Sequence, residues 1–477
     1  MLFDPAERRC FVCDKLLPFN GMDCPECAED NAIAHILEAE DETPTFTPTM
    51  EQAAAVASII DWFQSGPVFY TLMGYAGTGK TYLMAYLART GLYPLDQDTP
   101  PEAARNIKPS QICFTAPTNK AVKVLRGYLD TAGLTECKTA TIYSLLGLSL
   151  QPNGEVKELT VPEEPVDFSH FKLIVVDEAS MINRFLFEAI RQAFANWGVP
   201  FLFTGDPAQL PPIGETSTPV WKLPNQSLLT EVKRYGSSML ELATKIRNVV
   251  DNPFPSIKIE TNAPVYRVSK PEWLDKIVEN LELFKTGDAK VIAWRNVTVD
   301  KYNAFIRGHI FGLVEARQNQ WLPEDKIVAT THLKDLEDVT FMRTDEEAQI
   351  LKVQLGQHPS YREYEVWNLL VELETGMKKT IRTLTPAGAF ALNNKLTELS
   401  AEARGGKRYK WKEFWSLKEA FHEVRHSYAI TSHRSQGSSY LKTFVDLEDL
   451  MLNRNRSEAF RALYVACTRQ REELYVG

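Results

Sequence analysis

Gly74-Tyr75-Ala76-Gly77-Thr78-Gly79-Lys80-Thr81 is the stretch from which the fold is read. It fits GxxxxGK[ST] and sits between an apolar run, Val68–Leu72, and a helical pattern. Glycines at 74, 77 and 79, with Thr78 between the last two, let backbone N–H groups close around a β-phosphate. Lys80 can neutralise β and γ oxygens of ATP, and Thr81 offers its hydroxyl to Mg²⁺. The strand–helix context separates the motif from an ordinary Gly-rich turn.

Outward from this loop, Ile112–Thr115, Leu173–Val176 and Phe201–Thr204 read as further buried strands alternating with helical patterns. That alternation predicts an α/β fold, a parallel sheet with helices on both faces. Val175-Val176-Asp177-Glu178-Ala179-Ser180 ends one strand with two carboxylates, at the sheet edge where ligands sit. Asp177 is expected to hold Mg²⁺, directly or through water, and Glu178 to orient or deprotonate the attacking water. Gly205–Pro212 follows the next strand, where its chemistry allows either a Pro-rich turn or a Gln209 that reports nucleotide state. Gln151-Pro152-Asn153-Gly154-Glu155 predicts a β-hairpin.

A second α/β pattern begins near Ser227, with a strand at Val291–Trp294 and a helix at Val299–Ile310. Polar, mixed sequence interrupts it before it resumes at Ser427–Thr431, Phe444–Asp446 and Glu473–Val476. This predicts a second nucleotide-fold domain carrying an insertion. The domain reading is 1–42, a zinc module; 43–226, the first domain, with its hairpin at about 147–170; 227–310 and 425–477, the second; and 311–424, a small mixed or β insertion domain.

At 477 residues the chain exceeds one compact core, so several domains are required. With 44% hydrophobic and 24% charged residues it has the composition of a soluble globular protein. No run nears the ~20 apolar residues of a membrane span. No signal-like stretch opens the chain, which predicts the cytoplasm, or a host's cytoplasm if the chain is phage-encoded. A net charge of −9 argues against wholesale wrapping by nucleic acid and leaves a local basic channel open. Of seven cysteines, Cys113, Cys137 and Cys467 read as small buried hydrophobes. Cys10-x₂-Cys13 and Cys24-x₂-Cys27 have tetrahedral Zn²⁺ spacing, in a segment with too little apolar mass to fold alone. An iron–sulfur site and unligated thiols are the rival readings of those four.

The ordered motifs resemble those of superfamily 1 helicases, and within them the Dda/RecD-like group. The matching segments are Gly74–Thr81, Thr115–Ala121, Thr141–Leu146, Asp177–Ser180, Gly205–Pro212, Leu229–Arg234, Ser432–Ser438 and Leu463–Arg469. The resemblance implies two RecA-like P-loop NTPase domains with ATP and Mg²⁺ in the cleft between them. Gln52 then reads adenine, Tyr235 stacks on it, and Gln209 and Gly437 lie at the nucleotide. Arg234 and Arg469 reach the γ-phosphate from the second domain. A guanidinium there stabilises the transferring phosphoryl group and ties hydrolysis to closure.

Strand contacts implied by the resemblance come from Thr115, Pro117, Thr118, Thr141, Tyr143, His433 and Ser435. Tyr143 stands where close relatives usually have His. Lys120, Lys123 and Arg126 read either as added positive potential or as a solvated helix face. The hairpin matches a strand-separating pin, with a plain surface hairpin as the alternative. Lys407–Trp415, basic and aromatic, either tracks nucleic acid, braces the pin or packs a core.

The expected activity is ATP-driven movement along single-stranded and fork DNA by a monomer, 5′-to-3′ by resemblance alone. The alternatives are an RNA helicase and a zinc-dependent nucleic-acid-binding adaptor with a weak ATPase. The cysteine module departs from Dda-type helicases and either docks a partner such as a replication or recombination protein, binds nucleic acid, or only caps the fold.

Overall fold

The computed structural model describes residues 3–4, 9–10, 48–66, 68–92, 107–232, 237–250, 252 and 257–477. They divide into two units, 1–49 and 50–477. In the first, Phe3–Asp4 pairs antiparallel with Arg9–Cys10. The thiols of Cys10, Cys13, Cys24 and Cys27 lie outside the described residues, as do Arg234 and Tyr235.

The second unit opens with α1 (Met50–Gln64), whose Ala55, Val56, Ile59, Ile60 and Trp62 are buried at helical spacing. Then follow β1 (Phe69–Gly74), α2 (Lys80–Thr90), β2 (Ile112–Ala116), α3 (Asn119–Thr131) and β3 (Lys138–Thr141). A hairpin of β4 (Ser149–Asn153) and β5 (Val156–Thr160) comes next, then β6 (Leu173–Val176), α4 (Arg184–Trp197), β7 (Phe201–Gly205) and β8 (Gln226–Leu229). Six strands form one parallel sheet, in the order β8-β1-β7-β6-β2-β3. All four β6 residues are buried, because both faces of such a sheet are covered by helices.

The strand near Ser227 therefore closes the first sheet, with Leu229 opposite Gly74, and does not open the second domain as expected. A short apolar strand does not carry its sheet membership in its sequence. The hairpin is shorter than the expected span, and its turn is Gly154-Glu155. Gly154, at φ 62, takes the first central position of a two-residue turn, where glycine is favoured.

The second sheet draws on α5 (Ser237–Val249), β9 (Val265–Arg267), α6 (Lys270–Glu279), β10 (Ala289–Ala293) and α7 (Asn296–Phe311). The chain then enters the insertion: β11 (Lys326–Ala329), β12 (Glu347–Gln357), β13 (Glu365–Leu373), β14 (Lys378–Leu384), α8 (Pro386–Arg404), α9 (Lys410–Lys418) and β15 (Val424–His426). These strands make an antiparallel sheet, β14-β13-β12-β11-β15, which runs to His426. The chain returns through β16 (Ala429–Thr431), β17 (Tyr440–Val445), α10 (Arg456–Cys467) and β18 (Gln470–Val476). They complete a parallel sheet, β9-β18-β17-β10-β16.

Successive residues of this sheet serve opposite cores, as strand geometry requires. Ile292, Val445 and Leu474 pack with Leu463 of α10 and Ile246 of α5. Val291, Phe444 and Tyr475 pack with Trp273 of α6 and Ile306 of α7. No helix among the described residues is long and apolar enough to cross a membrane.

Both chain crossings between the second domain and the insertion meet at one buried carboxylate. Asp325 accepts from Arg307 Nε and Nη2 at 2.9 Å each, from Leu322 N at 2.9 Å and from Tyr428 Oη at 3.1 Å. Burial raises its pKa, but the neighbouring His426, 3.6 Å away, and the Arg307 hydrogen bonds outweigh that and hold the carboxyl below its usual range. Asp325→Ala strands a buried guanidinium and is expected to cost about 3–5 kcal/mol. The check is urea unfolding, and a loss below about 1 kcal/mol would refute the anchoring role.

Candidate active site

The functional residues gather along the C-terminal edge of the first sheet because β1, β6 and β7 all end there in register. Val176 lies opposite Phe203, and Met73 opposite Gly205. The phosphate loop leaves β1 at Gly74, and Gly77 and Gly79 take φ of 83 and 81. At Gly79 only glycine fits, since an added Cβ would lie 2.8 Å from Gln52 Nε2. Gln52, buried on α1, donates to Thr78 O at 3.0 Å, and Thr78 Oγ1 donates to Tyr75 O at 2.9 Å. Lys80 Nζ donates to Gly74 O at 2.6 Å and Tyr75 O at 3.2 Å, so its ammonium lies across the loop's own carbonyls. Thr81 stands half-exposed on the first turn of α2.

Asp177 and Glu178 leave β6 beside this loop. Glu178 has φ 53, a left-handed conformation that a non-glycine residue adopts at a cost of about 1–3 kcal/mol. Its N–H donates to Asp177 Oδ1 at 2.9 Å. Burial raises the pKa of Asp177, of Asp206 after β7 and of Glu178, which the neighbouring Asp177 raises further. Lys80 opposes the rise at all three, and Arg469 opposes it at Glu178 and Asp206. Three desolvated carboxyls thus share the field of two cations. Among the described residues no three His, Cys, Asp or Glu side chains cluster as a metal site, so Asp177 with the Thr81 hydroxyl is the set that could take a divalent ion beside a nucleotide phosphate.

The second domain reaches into the same site. Tyr464 of α10 donates to Asp206 Oδ2 at 2.7 Å and accepts from Ala76 N at 3.0 Å, joining the phosphate loop to the end of β7. Arg461, one turn earlier, donates to Pro207 O and to Gln209 O, the latter at 3.1 Å. Gln436 Nε2 lies 3.5 Å from Gln209 Oε1, and Arg247 of α5 sits 3.8 Å over the Tyr75 ring. Arg469, 6% exposed, donates to Val465 O, Ser438 O and Thr468 Oγ1 at 3.0–3.3 Å. Sequence reasoning missed Tyr464, Arg461 and Arg247. Tyr464 falls within the segment Leu463–Arg469 without a role assigned to it, and Arg461 lies one turn before it, which was a readable signal; Arg247 on α5 had none.

Several expected strand contacts are turned inward. Thr115 Oγ1 donates to Val175 O at 2.9 Å in the sheet interior, and Ser435 Oγ donates to Ser432 O at 2.7 Å, both side chains fully buried. Pro117 is buried too. Thr115 and Pro117 lie at the end of β2, and Ser435 lies in the turn His433–Ser435 after β16. Thr118 and Thr141 cap α3 and the short helix Ile142–Leu145, accepting from Ala121 N and Ser144 N. Tyr143 packs part-buried on the first domain's core, and His433 lies 3.7 Å from Glu458. Gly437, at φ 70, sets the second domain against α3, where its Cβ would meet that of Ala121 at 3.4 Å. Of the basic residues on α3, Lys120 donates to Tyr440 Oη at 3.2 Å, Lys123 pairs with Glu374 and Arg126 donates to Cys137 O at 2.9 Å.

Comparison with known proteins gives matches to both halves of this arrangement. Residues 47–249 match the AAA domain family, and residues 426–476 match the UvrD-like helicase C-terminal domain. The ATP-dependent DNA helicase dda of Enterobacteria phage T4 is 25% identical over 450 residues, covering 85% of this chain and 93% of that protein. The uncharacterized protein R530 of Acanthamoeba polyphaga mimivirus is 23% identical over 483 residues, covering 85% and 94%. Among solved structures, the Pif1 helicase from Candida albicans aligns over 90% of this chain and 94% of its own, at 15% identity and a TM-score of 0.44. Two parallel sheets around one phosphate site, with the ordered motifs and these matches, make the chain similar to P-loop ATPases of the helicase type. Within that class its likeness is to the Dda-like helicases.

Proposed function

We propose that this chain is an ATP-dependent DNA helicase that translocates on single-stranded DNA, 5′-to-3′, and separates strands at a fork. The observation that carries the reading is the bridge made by Tyr464, which ties the phosphate loop and Asp206 of one domain to α10 of the other. A site built from two domains changes shape as phosphate leaves, and that change drives movement.

In this mechanism Gln52 sets the adenine side and Lys80 turns from the loop carbonyls to the β and γ oxygens. Thr81 and Asp177 would hold Mg²⁺, which when bound would neutralise phosphate charge. Glu178 orients the attacking water and takes its proton, and Gln209 carries the nucleotide state to Gln436. Arg469, with Arg234, stabilises charge on the transferring group across the cleft, and Tyr235 stacks on the base. Gly437 keeps the second domain close enough for this. Strand contacts fall to the exposed faces around Thr118, Thr141, Tyr143 and His433, with phosphates held by main-chain N–H groups. The domain assignment proposed is 1–42, 43–229, 230–310 with 427–477, and 311–426 as the insertion.

The hairpin serves as the pin. Lys407–Trp415 falls at the start of α9, where Phe414 and Trp415 are buried and Trp415 Nε1 donates to Gly154 O at 2.8 Å. That contact favours bracing over tracking nucleic acid. The four N-terminal cysteines supply a thiolate set suited to one structural Zn²⁺, and the module they form docks a replication or recombination protein. The enzyme works as a monomer in the cytoplasm of the cell or of an infected host.

The test is unwinding of duplexes with a 5′ or a 3′ tail, in DNA and in RNA. Activity only with the 5′ DNA tail is expected; none there, with activity on RNA, would overturn the reading. Metal analysis of the purified protein is expected to return one zinc per chain, lost on mutating Cys24 and Cys27 to serine.

A further inference from the structure

The insertion touches more than the pin. At one edge of it, Asp345 and Glu347 reach the second domain beside the turn proposed to contact the strand. Asp345 Oδ1 accepts from Arg434 Nε at 2.7 Å, and Arg434 Nη2 donates to Ala329 O at 3.2 Å. Arg434 is part of the turn that contains His433 and leads to Gly437, which packs on Ala121 of α3. Two residues on, Glu347 accepts from Lys290 Nζ at 2.9 Å and Ser427 Oγ at 3.4 Å, with Lys290 1% exposed. Lys120 of α3, held to Tyr440, lies in the field of both Glu347 and Asp345. Lys123, one turn along α3, pairs with Glu374 at the β13–β14 turn.

The insertion therefore contacts the strand-side turn of the second domain through Asp345, and the strand-side helix of the first through Glu374 at a separate turn. The Arg434–Asp345 and Lys290–Glu347 pairs are partly or fully buried, where screening is weaker than at an open surface, whereas Lys123–Glu374 is exposed. Removing or moving a partner there shifts the helix or the turn it holds. We propose that Asp345 and Glu347 are positioning residues that couple the nucleotide cleft to strand grip, by holding the Arg434 turn, whose Gly437 packs on α3, in a placement that cleft closure changes. The inference rests on the proposed helicase activity and assigns the insertion a second task beside the pin. Arg434 and Lys120 act here as inner struts, since both already have partners within the protein.

Asp345 offers a clean test. It has φ 67, a conformation that Asn adopts as readily as Asp, so Asp345→Asn removes charge without changing backbone or volume. Affinity for a fluorescent oligothymidylate is measured with ADP and with a non-hydrolysable ATP analogue. Coupling of this kind makes the two affinities differ by about 5–150-fold in the wild type. In Asp345→Asn the ratio is expected to fall to within about twofold, with hydrolysis in the absence of strand and the urea midpoint unchanged. Lys120→Met, tested as a second variant, is expected to reduce the ratio in the same direction.

A preserved ratio in both variants overturns the proposal. So does equal weakening in both nucleotide states with a salt slope reduced by about one, which marks a simple phosphate contact. If the wild type shows no strand-stimulated hydrolysis, the helicase reading falls and takes this inference with it. A stimulated wild type with unaltered variants refutes the inference alone.

Discussion

Glu178→Gln is expected to lower strand-stimulated ATP hydrolysis by about 10²–10⁴-fold while leaving ATP bound at least as tightly. The amide keeps the shape of the side chain and its backbone conformation but can no longer take the proton of the attacking water. The binding half follows from electrostatics. Glu178 is buried beside Asp177, and both burial and that neighbour disfavour its charge. Neutralising it relieves like-charge repulsion in a cleft that must accept an anionic nucleotide. Lys80→Ala is the informative contrast, because it removes a cation and weakens binding along with hydrolysis. Phosphate release with saturating oligonucleotide, and binding of a fluorescent ATP analogue, separate the two effects. A Glu178→Gln loss below about tenfold would move the proton-accepting role to another group, and Asp206, which shares its field, is then the alternative carboxylate.

That the cleft could be described from sequence at all has a physical basis. Phosphate binding needs glycines at fixed spacing, and a buried strand ending in two carboxylates has few other uses. Gly74–Thr81, Asp177 and Glu178 could therefore be placed before any coordinates. The parallel sheets were legible for a related reason: strands covered on both faces are apolar throughout, as at Leu173–Val176 and Ala289–Ala293.

What resisted reading depends on contacts between distant segments. Gln226–Leu229 has nothing in its sequence to say that it joins β1 and not the second sheet. Thr115 and Ser435 carry hydroxyls suited to a phosphate, yet each is consumed by a carbonyl inside the fold. Tyr464 looks like one more aromatic residue on an apolar helix until Asp206 and Ala76 are brought to it from 258 and 388 residues away. Lys407–Trp415 left three readings open for the same reason. Its partner, Gly154, lies 261 residues from Trp415.

That last contact leads to the second large effect. The β4–β5 hairpin has little core of its own, since every β4 residue is exposed, and an isolated two-stranded hairpin is marginal in water. Its stiffness as a wedge must come from the clasp at its tip. Glu155 accepts from Ser400 and Arg404 of α8, and Trp415 of α9 donates to Gly154 O. Lys157 pairs with Glu419 and lies 5.3 Å from the Trp415 ring centre. Glu155→Ala combined with Trp415→Phe removes two acceptors' worth of polar contact and the indole donor while keeping an aromatic filler in the core. Unwinding of a 5′-tailed duplex is expected to fall about tenfold or more, the scale on which misplacing a positioning element acts. Strand-stimulated hydrolysis and translocation on unpaired DNA, which do not use the pin, should stay within about twofold. A parallel fall in hydrolysis and unwinding would show that the clasp supports the motor itself. Retention of both would reduce the hairpin to a surface loop, and strand separation would then belong to another part of the protein.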